Sequence, residues 1–260
     1  MNVIILFFII IFIVGFVTAG LKIQFDRFFA IILLIFLIKF SVVESVNVFL
    51  WIMLLSSIVV LWKNKEKIKN IPSQTQKKFF TIVPLLTLIG VFTGTTIFSN
   101  VSNHVLMTTL GILALLYGLR LMLIHFKAHE LEYKNPKPIF QKMCGLLGPI
   151  VSGFFAGFIG TTLKPLKISF AVKVGRMNLS QVYIGNVITA FYASFFAIIL
   201  HSLYIKQSVM TISNAFIGIC MWIGIHFVYE ATNLFFKDKW RKPFQILIGI
   251  ILIAASFKFL

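Results

Sequence analysis

The chain has 260 residues, of which 59% are hydrophobic and 30 are Phe, and its mean hydropathy of +0.99 excludes a soluble globular domain. A net charge of +17 would suggest nucleic-acid binding in a soluble protein, but most Lys and Arg residues here lie between apolar blocks. We therefore predict an all-α polytopic membrane protein with the lipid bilayer around it and no nucleic-acid partner. Runs such as IILLIFLI do not alternate in polarity, which excludes a transmembrane barrel.

Apolar segments recur along the whole chain, most of them close to the roughly 20 residues that a helix needs to cross about 30 Å of hydrocarbon. They cover residues 2–20, 28–40, 46–62, 79–98, 104–126, 144–163, 166–175, 181–204, 209–234 and 243–260. Segments 28–40 and 166–175 are too short to span a bilayer alone, so we expect half-helices, re-entrant pieces or packed internal spans there. The first segment lacks a preceding basic region and is expected to be a retained helix.

The first five segments resemble the second five. At an offset of 142 residues, GFVTAGLK, which begins at Gly15, lies on GFIGTTLK with Gly, Phe, Leu and Lys in matching places. The same offset places Glu44 on Asn186 and Asn47 on Thr189. We therefore predict a duplicated chain with short or broken helices near the midplane. Its parts are a first transmembrane repeat (1–126), a basic cytoplasmic linker (127–142) and a second transmembrane repeat (143–260).

Loop charges indicate how the two halves are oriented. Loop 63–78 holds six Lys and loop 99–103 none, whereas in the second half 205–208 holds one Lys and 235–242 holds four Lys and Arg residues. Because basic loops stay in the cytoplasm, we predict inverted repeats, with loops 63–78, 127–142 and 235–242 cytoplasmic. The alternative is eight spans with two re-entrant pieces, which would place loop 235–242 on the outer side.

GFIGTTLKP predicts a break in the sixth segment. Gly160 weakens the helix there, and Pro165 disfavours helix at the residue before it, so we expect the break between Thr161 and Pro165. A break leaves backbone N–H groups free. Together with the hydroxyls of Thr161 and Thr162, the positive end of the next helix and the charge of Lys164, they suit a small oxyanion.

Lys164 has an alternative role, since a lysine at a helix end often extends to the membrane interface. Its counterpart Lys22 in the first copy favours the ligand role. Three other basic residues without a counterpart are expected to face headgroups: Lys167, Lys173 and Arg176. Three glycines form a small-residue face whose simplest explanation is close helix packing: Gly153, Gly157 and Gly160.

Other polar residues within apolar segments complete the predicted site. Thr18 belongs to the first copy of the motif, and Asn47, Asn186 and Thr189 are placed to contact an anion, with interhelical hydrogen bonding as the alternative. Glu44 is an intramembrane carboxylate, which costs about 2.5 to 3.5 kcal/mol at the bilayer centre. We predict a coupling or gating role for Glu44, unless its place near a helix start puts it at the interface.

Neither a metal site nor an enzyme is predicted. His125 and His129 form HxxxH before Glu130, but at a helix end, and the other histidines lack carboxylate partners. We expect all of them at interfaces, including His104, His201 and His226. The chain has no GxSxG elbow, no phosphate-binding GKS or GKT loop and no nucleophile with a neighbouring base, so neither a cofactor nor catalysis is expected.

Several stretches resemble one family. GFVTAGLKIQ and SGFFAGFIGTTLKPL, PLLTLIGVFTG and FIGICMWIG, and the closing LGILALLYGLRLML and ILIGIILIAASFKFL are similar to segments of the sulfite exporter TauE/SafE family of anion permeases. The resemblance implies an inner-membrane carrier of about ten helical segments in two related halves, which moves sulfite, sulfonates or other small anions. Family members usually carry glycines before the Pro of the break, where this chain has Thr161 and Thr162, and Ile23 stands where the first copy would have Pro.

Two functional hypotheses follow. The first is a secondary transporter of small anions in the bacterial inner membrane, in which the two breaks meet near the midplane, with a proton or sodium ion as the candidate coupling ion. The second is a non-transporting membrane scaffold or assembly subunit, for which a tightly packed bundle with a dry interior suffices.

Overall fold

A computed structural model of the protein describes residues 3–21, 27–125, 132, 137–204 and 212–260. Throughout these residues the regular structure is helical, which confirms the all-α prediction. Seven of the described helical stretches are long and apolar enough to cross a membrane. They are Val3–Leu21, Val42–Lys63, Thr75–Asn100, Asn103–Leu123, Pro138–Ile159, Leu179–Tyr204 and Ser213–Asn233. The chain is a polytopic integral membrane protein.

The helices are numbered along the chain. In the first half they are α1 (Val3–Leu21), α2 (Phe29–Leu33, continued by a π-helical turn at Leu34–Ile38), α3 (Val42–Lys63), α4 (Lys65–Lys69), α5 (Ser73–Phe80), α6 (Ile82–Asn100) and α7 (Asn103–Leu123). In the second half they are α8 (Pro138–Ile159), α9 (Lys164–Lys173), α10 (Leu179–Tyr204), α11 (Ile212–Asn233) and α12 (Asp238–Ser256). Predicted loops 63–78 and 235–242 are thus largely helical, because α4, α5 and the start of α12 lie within them.

The helices form two compact units. The α1 unit consists of Met1–Ile52, Val101–His125 and Val209–Leu260, and the α8 unit of Met53–Asn100 and Phe126–Ser208. Each unit therefore combines parts of both predicted repeats, and α3 is divided between the two. The repeat boundaries at 126 and 143 stay a prediction.

In the α8 unit, α6 packs along α8, and α10 packs against both. The close approach depends on glycines: a Cβ added to Gly153 would lie 2.2 Å from the Thr87 carbonyl oxygen, and one added to Gly157 would lie 2.4 Å from that of Val91. No side chain fits at such distances. The packing interpretation of these two glycines is confirmed, because they let the helix backbones touch.

The α1 unit repeats this arrangement with the halves exchanged. There α1 packs along α11, and a Cβ on Gly15 would lie 3.0 Å from the Ile225 carbonyl oxygen. Gly15 is the counterpart of Gly157. Ile225 follows Gly224 in the fourth apolar segment of the second half, just as Val91 follows Gly90 in the fourth apolar segment of the first half. The first apolar segment of each half thus packs on the fourth apolar segment of the other half. This reciprocity supports the predicted duplication.

Both short segments run back beside the helix that precedes them. At the end of α9, the Gly175 carbonyl accepts a 3.0 Å hydrogen bond from the Lys137 N–H at the start of α8. In the α1 unit the ring of Phe40, just beyond the π-helical turn, lies 6.0 Å from that of Phe7 near the start of α1. Each short segment therefore returns to the end where its long helix began. Such a return supports the inverted scheme, which counts the short segments as crossings.

Candidate functional site

The predicted break is present between α8 and α9. Helix α8 ends at Ile159, where Gly160 adopts a left-handed conformation (φ 78°) and donates its N–H to the Ala156 carbonyl at 3.0 Å. Leu163 is also left-handed (φ 52°), and α9 begins at Lys164 with Pro165 in its first turn. Glycine enters the left-handed region without steric cost, and proline is favoured in a first helical turn because its missing N–H would have no acceptor there.

Hydrogen-bond donors collect at this break. Thr161 and Thr162 are 0% and 1% exposed. The hydroxyl of Thr162 has no hydrogen-bond partner among the described residues. Lys167 closes the first turn of α9 by donating its N–H to the Leu163 carbonyl at 3.0 Å. The earlier N–H groups of α9 therefore lack an acceptor within the helix and add the positive end of its dipole.

The two lysines of α9 have different surroundings. Lys164 is partly exposed, and its Nζ lies 4.3 Å from the ring centroid of Tyr183, a cation–π contact. Lys167 donates from Nζ to the hydroxyl of Ser152, which is fully buried and in turn donates to the Gly148 carbonyl at 2.7 Å. The prediction that Lys167 faces headgroups is wrong, because α9 returns along α8 and turns this side chain toward it.

The α10 residues of the predicted site are bonded to their own helix. Asn186 donates from Nδ2 to the Val182 carbonyl, and Thr189 donates its hydroxyl to the Gly185 carbonyl, both at 2.8 Å. These bonds satisfy one donor of each side chain. The Asn186 carbonyl oxygen and the lone pairs of the Thr189 hydroxyl remain as acceptors, so a ligand role for either residue stays a prediction.

The position of His201 was predicted incorrectly from the sequence. It was expected at an interface, but it is 1% exposed, near the end of α10. Its Nε2 lies 2.7 Å from the Gly157 carbonyl oxygen, and its ring stacks on Phe98 at 5.0 Å. The only sequence signal was a histidine inside a predicted span, which by itself indicates a buried polar contact.

The first copy of the motif lies in the α1 unit. Thr18 is buried and donates its hydroxyl to the Val14 carbonyl at 2.6 Å. Lys22 and Ile23 lie outside the described residues. The end of α1 is held by Arg241, whose Nη1 donates to the carbonyls of Ala19 at 2.9 Å and Gly20 at 3.4 Å. Sequence reasoning counted Arg241 only as a loop charge.

Asn47 and Glu44, both on α3, have contrasting surroundings. Asn47 is fully buried, whereas Glu44 is partly exposed in the first turn of α3. Glu44 Oε2 accepts from the N–H and the hydroxyl of Ser41 at 2.9 and 2.7 Å, and the Glu44 N–H is 3.2 Å from that hydroxyl. This reciprocal pair is a capping box, which gives Glu44 a structural role at the helix start. Its coupling role stays a prediction.

No group of three or more His, Cys, Asp or Glu side chains in the described part of the chain could hold a metal ion. His125 Nδ1 lies 3.4 Å from Oε1 of Gln245, an amide that also donates to the carbonyls of Leu121 and Ile124. His129 and Glu130 lie outside the described residues.

Comparison with known proteins identifies a family. Residues 3–259 match the sulfite exporter TauE/SafE family. No curated protein and no solved structure matches the chain significantly. The family match covers essentially the whole chain, including both copies of the GFxxxxLK motif, and its members are membrane transporters of sulfur-related anions. The chain belongs to the sulfite exporter TauE/SafE family.

Proposed function

We propose that this protein is a secondary transporter that binds its anion at the break between α8 and α9. The buried Thr162 hydroxyl is the observation that carries the proposal, since a buried donor without a partner costs about 1 to 3 kcal/mol. A ligand oxygen would satisfy it. The first N–H groups of α9 and the ammonium of Lys164, the first residue of that helix, are further donors two to four residues along the chain.

Sulfite, organosulfonates and related sulfur-containing or organic anions suit these donors, because each presents several acceptor oxygens on one small group. Hydroxyls at Thr161 and Thr162, where the family usually has glycines, add side-chain donors to the backbone ones. We assign direct contacts to Gly160, Thr161, Thr162 and Lys164. Asn186 and Thr189 of α10 are assigned to the rest of this site, and the ligand roles of Thr18, Lys22 and Asn47 stay predictions from the sequence.

The energy source is proposed to be a proton or sodium gradient across the bacterial inner membrane, with the basic stretches 63–78, 127–142 and 235–242 in the cytoplasm. Cysteine labelling tests the orientation after Cys144 and Cys220 are changed to Ser. We expect Ser102→Cys to react with an impermeant maleimide from the outside and Lys239→Cys only after permeabilisation. Equal reaction of both from one side would contradict the inverted topology.

Flux into proteoliposomes tests the transport proposal directly, with sulfite, sulfoacetate and thiosulfate as substrates. Lys164→Met should lower the rate for the best substrate about tenfold, because a charge-assisted contact is lost. Lys173→Met is the matched control, since Lys173 is exposed at the other end of the same helix. It should transport at the parental rate.

Parental transport by Lys164→Met would remove Lys164 from the mechanism. If the parent protein moved none of the anions, showed no anion-dependent thermal shift and always copurified with one stoichiometric partner, the scaffold hypothesis would replace the transporter. Because the family is one of transporters, we infer that the protein is not an enzyme.

A further inference from the structure

The last turn of α8 has carbonyl groups that its own helix cannot satisfy. Gly160 closes the helix on Ala156, so the carbonyls from Gly157 onward have no N–H partner within α8. His201 Nε2 is 2.7 Å from the first of them, the Gly157 oxygen. Since a carbonyl oxygen only accepts hydrogen bonds, Nε2 must carry the hydrogen. The imidazole of α10 therefore caps the C-terminus of α8.

The packing around His201 fixes its ring. The ring lies nearly parallel to that of Phe98 (10° between planes). Phe98 is one turn beyond Thr95 on α6, and the Thr95 hydroxyl lies against Gly157, 2.9 Å from where a Cβ would be. Three helices, α6, α8 and α10, therefore meet at one carbonyl. Residues Thr161 and Thr162 of the break follow within five positions of Gly157.

We infer that His201 is a positioning residue for the anion site, an inference that rests on the proposed function. By holding the last turn of α8, His201 sets where the threonines and the N-terminus of α9 are presented. Without the cap, the buried carbonyl must find water or another donor, and the break must shift to admit it. The donors would then be less well organised for an anion, so substrate affinity falls while the later steps of transport continue.

The experiment compares two substitutions at this position in proteoliposomes. His201→Phe keeps an aromatic ring for stacking on Phe98 but removes the donor, and it should raise KM about tenfold with Vmax little changed. His201→Gln restores an N–H donor and should bring KM back to within about threefold of the parent. His104→Phe, at an exposed histidine of α7, is the matched control and should leave KM unchanged.

A second readout follows the break itself. In a background that carries Cys144→Ser and Cys220→Ser, maleimide labelling of Thr162→Cys should be severalfold faster with His201→Phe and slow again with His201→Gln. Parental KM and labelling in His201→Phe would overturn the inference and leave the transporter proposal standing. Equal losses of Vmax and folded protein in both His201 variants would show a purely structural role. If the parent protein transports no anion, both the transporter proposal and this inference are contradicted.

Discussion

The ends of α8 and α1 carry the same motif but are held in different ways. Each helix packs through an equivalent glycine, Gly157 or Gly15, against a backbone carbonyl of its partner helix. At α8 the cap is a buried imidazole, whereas at α1 it is the guanidinium of Arg241, which also donates to the Phe236 carbonyl at 3.2 Å. The two units therefore share the same backbone packing at these helix ends, but different side chains cap the ends.

The caps also differ in charge and in place. Arg241 is a cation in the first turn of α12 and lies beside the end of α1, where the helix dipole is negative. The end of α1 is thus at the basic end of its unit. In the α8 unit Lys137 and Lys173 lie near the start of α8, whereas Lys164 lies at its break as the first residue of α9. The two helix ends thus differ in their basic neighbours, because Arg241 caps the end of α1 while the end of α8 is followed by Lys164.

The largest expected effect comes from filling the glycine contact of the α8 unit. Gly157→Ala places a Cβ 2.4 Å from the Val91 carbonyl oxygen and 2.9 Å from the Thr95 nitrogen, so the helix backbones must separate. We expect the free energy of unfolding to fall by about 2 to 4 kcal/mol, as in overpacked cores. Unfolding in an SDS titration measures this change.

Two glycines serve as comparisons for Gly157→Ala. Gly145→Ala lies on the same helix with nothing within 4 Å of the new Cβ, so it should be neutral or slightly stabilising. Gly15→Ala first meets the side chain of Val228, and its nearest backbone atom is 3.0 Å away, so it should cost less than Gly157→Ala. A larger loss for Gly15→Ala would contradict the ranking of the two contacts.

A smaller effect is expected when the cap of α1 is removed. Arg241→Met deletes donors to two carbonyls at the end of α1 and to Phe236 and Asn233, and we expect a loss of about 2 kcal/mol. Arg241→Lys should recover only part of it, because an ammonium cannot reproduce the planar fork. Lys242→Met, at an exposed neighbour, is the control. Equal stability of Arg241→Met and Lys242→Met would show that the cap contributes nothing measurable.

Local sequence signals predicted the break well. Gly160 and Pro165 act within one or two turns of the chain, and the observed linker, Gly160 to Leu163, overlaps the predicted break, although α9 already begins at Lys164 and includes Pro165. The start of α3 was predicted at 46 and is at Val42, although the Ser41 and Glu44 spacing of a capping box was present in the sequence. Hydropathy locates a span, while its first residue is set by cap chemistry.

The side chains that cap the ends of α8 and α1 could not be predicted from local sequence signals. His201 and Gly157 are 44 residues apart, and Arg241 and Ala19 are 222 apart, so each contact depends on which helices pack together. No periodicity or local motif encodes that choice. Likewise, dividing the chain into two consecutive repeats did not predict that α1 would pack on α11 or that α6 would pack on α8, because each of these pairs combines helices of both repeats.

The smallest stability change is expected at Thr162, and it separates binding from folding. Its hydroxyl has no partner among the described residues, so Thr162→Val should leave the free energy of unfolding unchanged or raise it by up to about 1 kcal/mol. Thr18→Val, in the α1 unit, removes a hydroxyl that donates to Val14 and should cost about 0.5 to 1.5 kcal/mol.

If the Thr162 hydroxyl binds the anion, KM for flux rises about fivefold in Thr162→Val while the protein stays as stable as the parent. Unchanged KM with increased stability would mean that the hydroxyl contacts no ligand, and the anion would then have to bind through the backbone N–H groups and Lys164 alone.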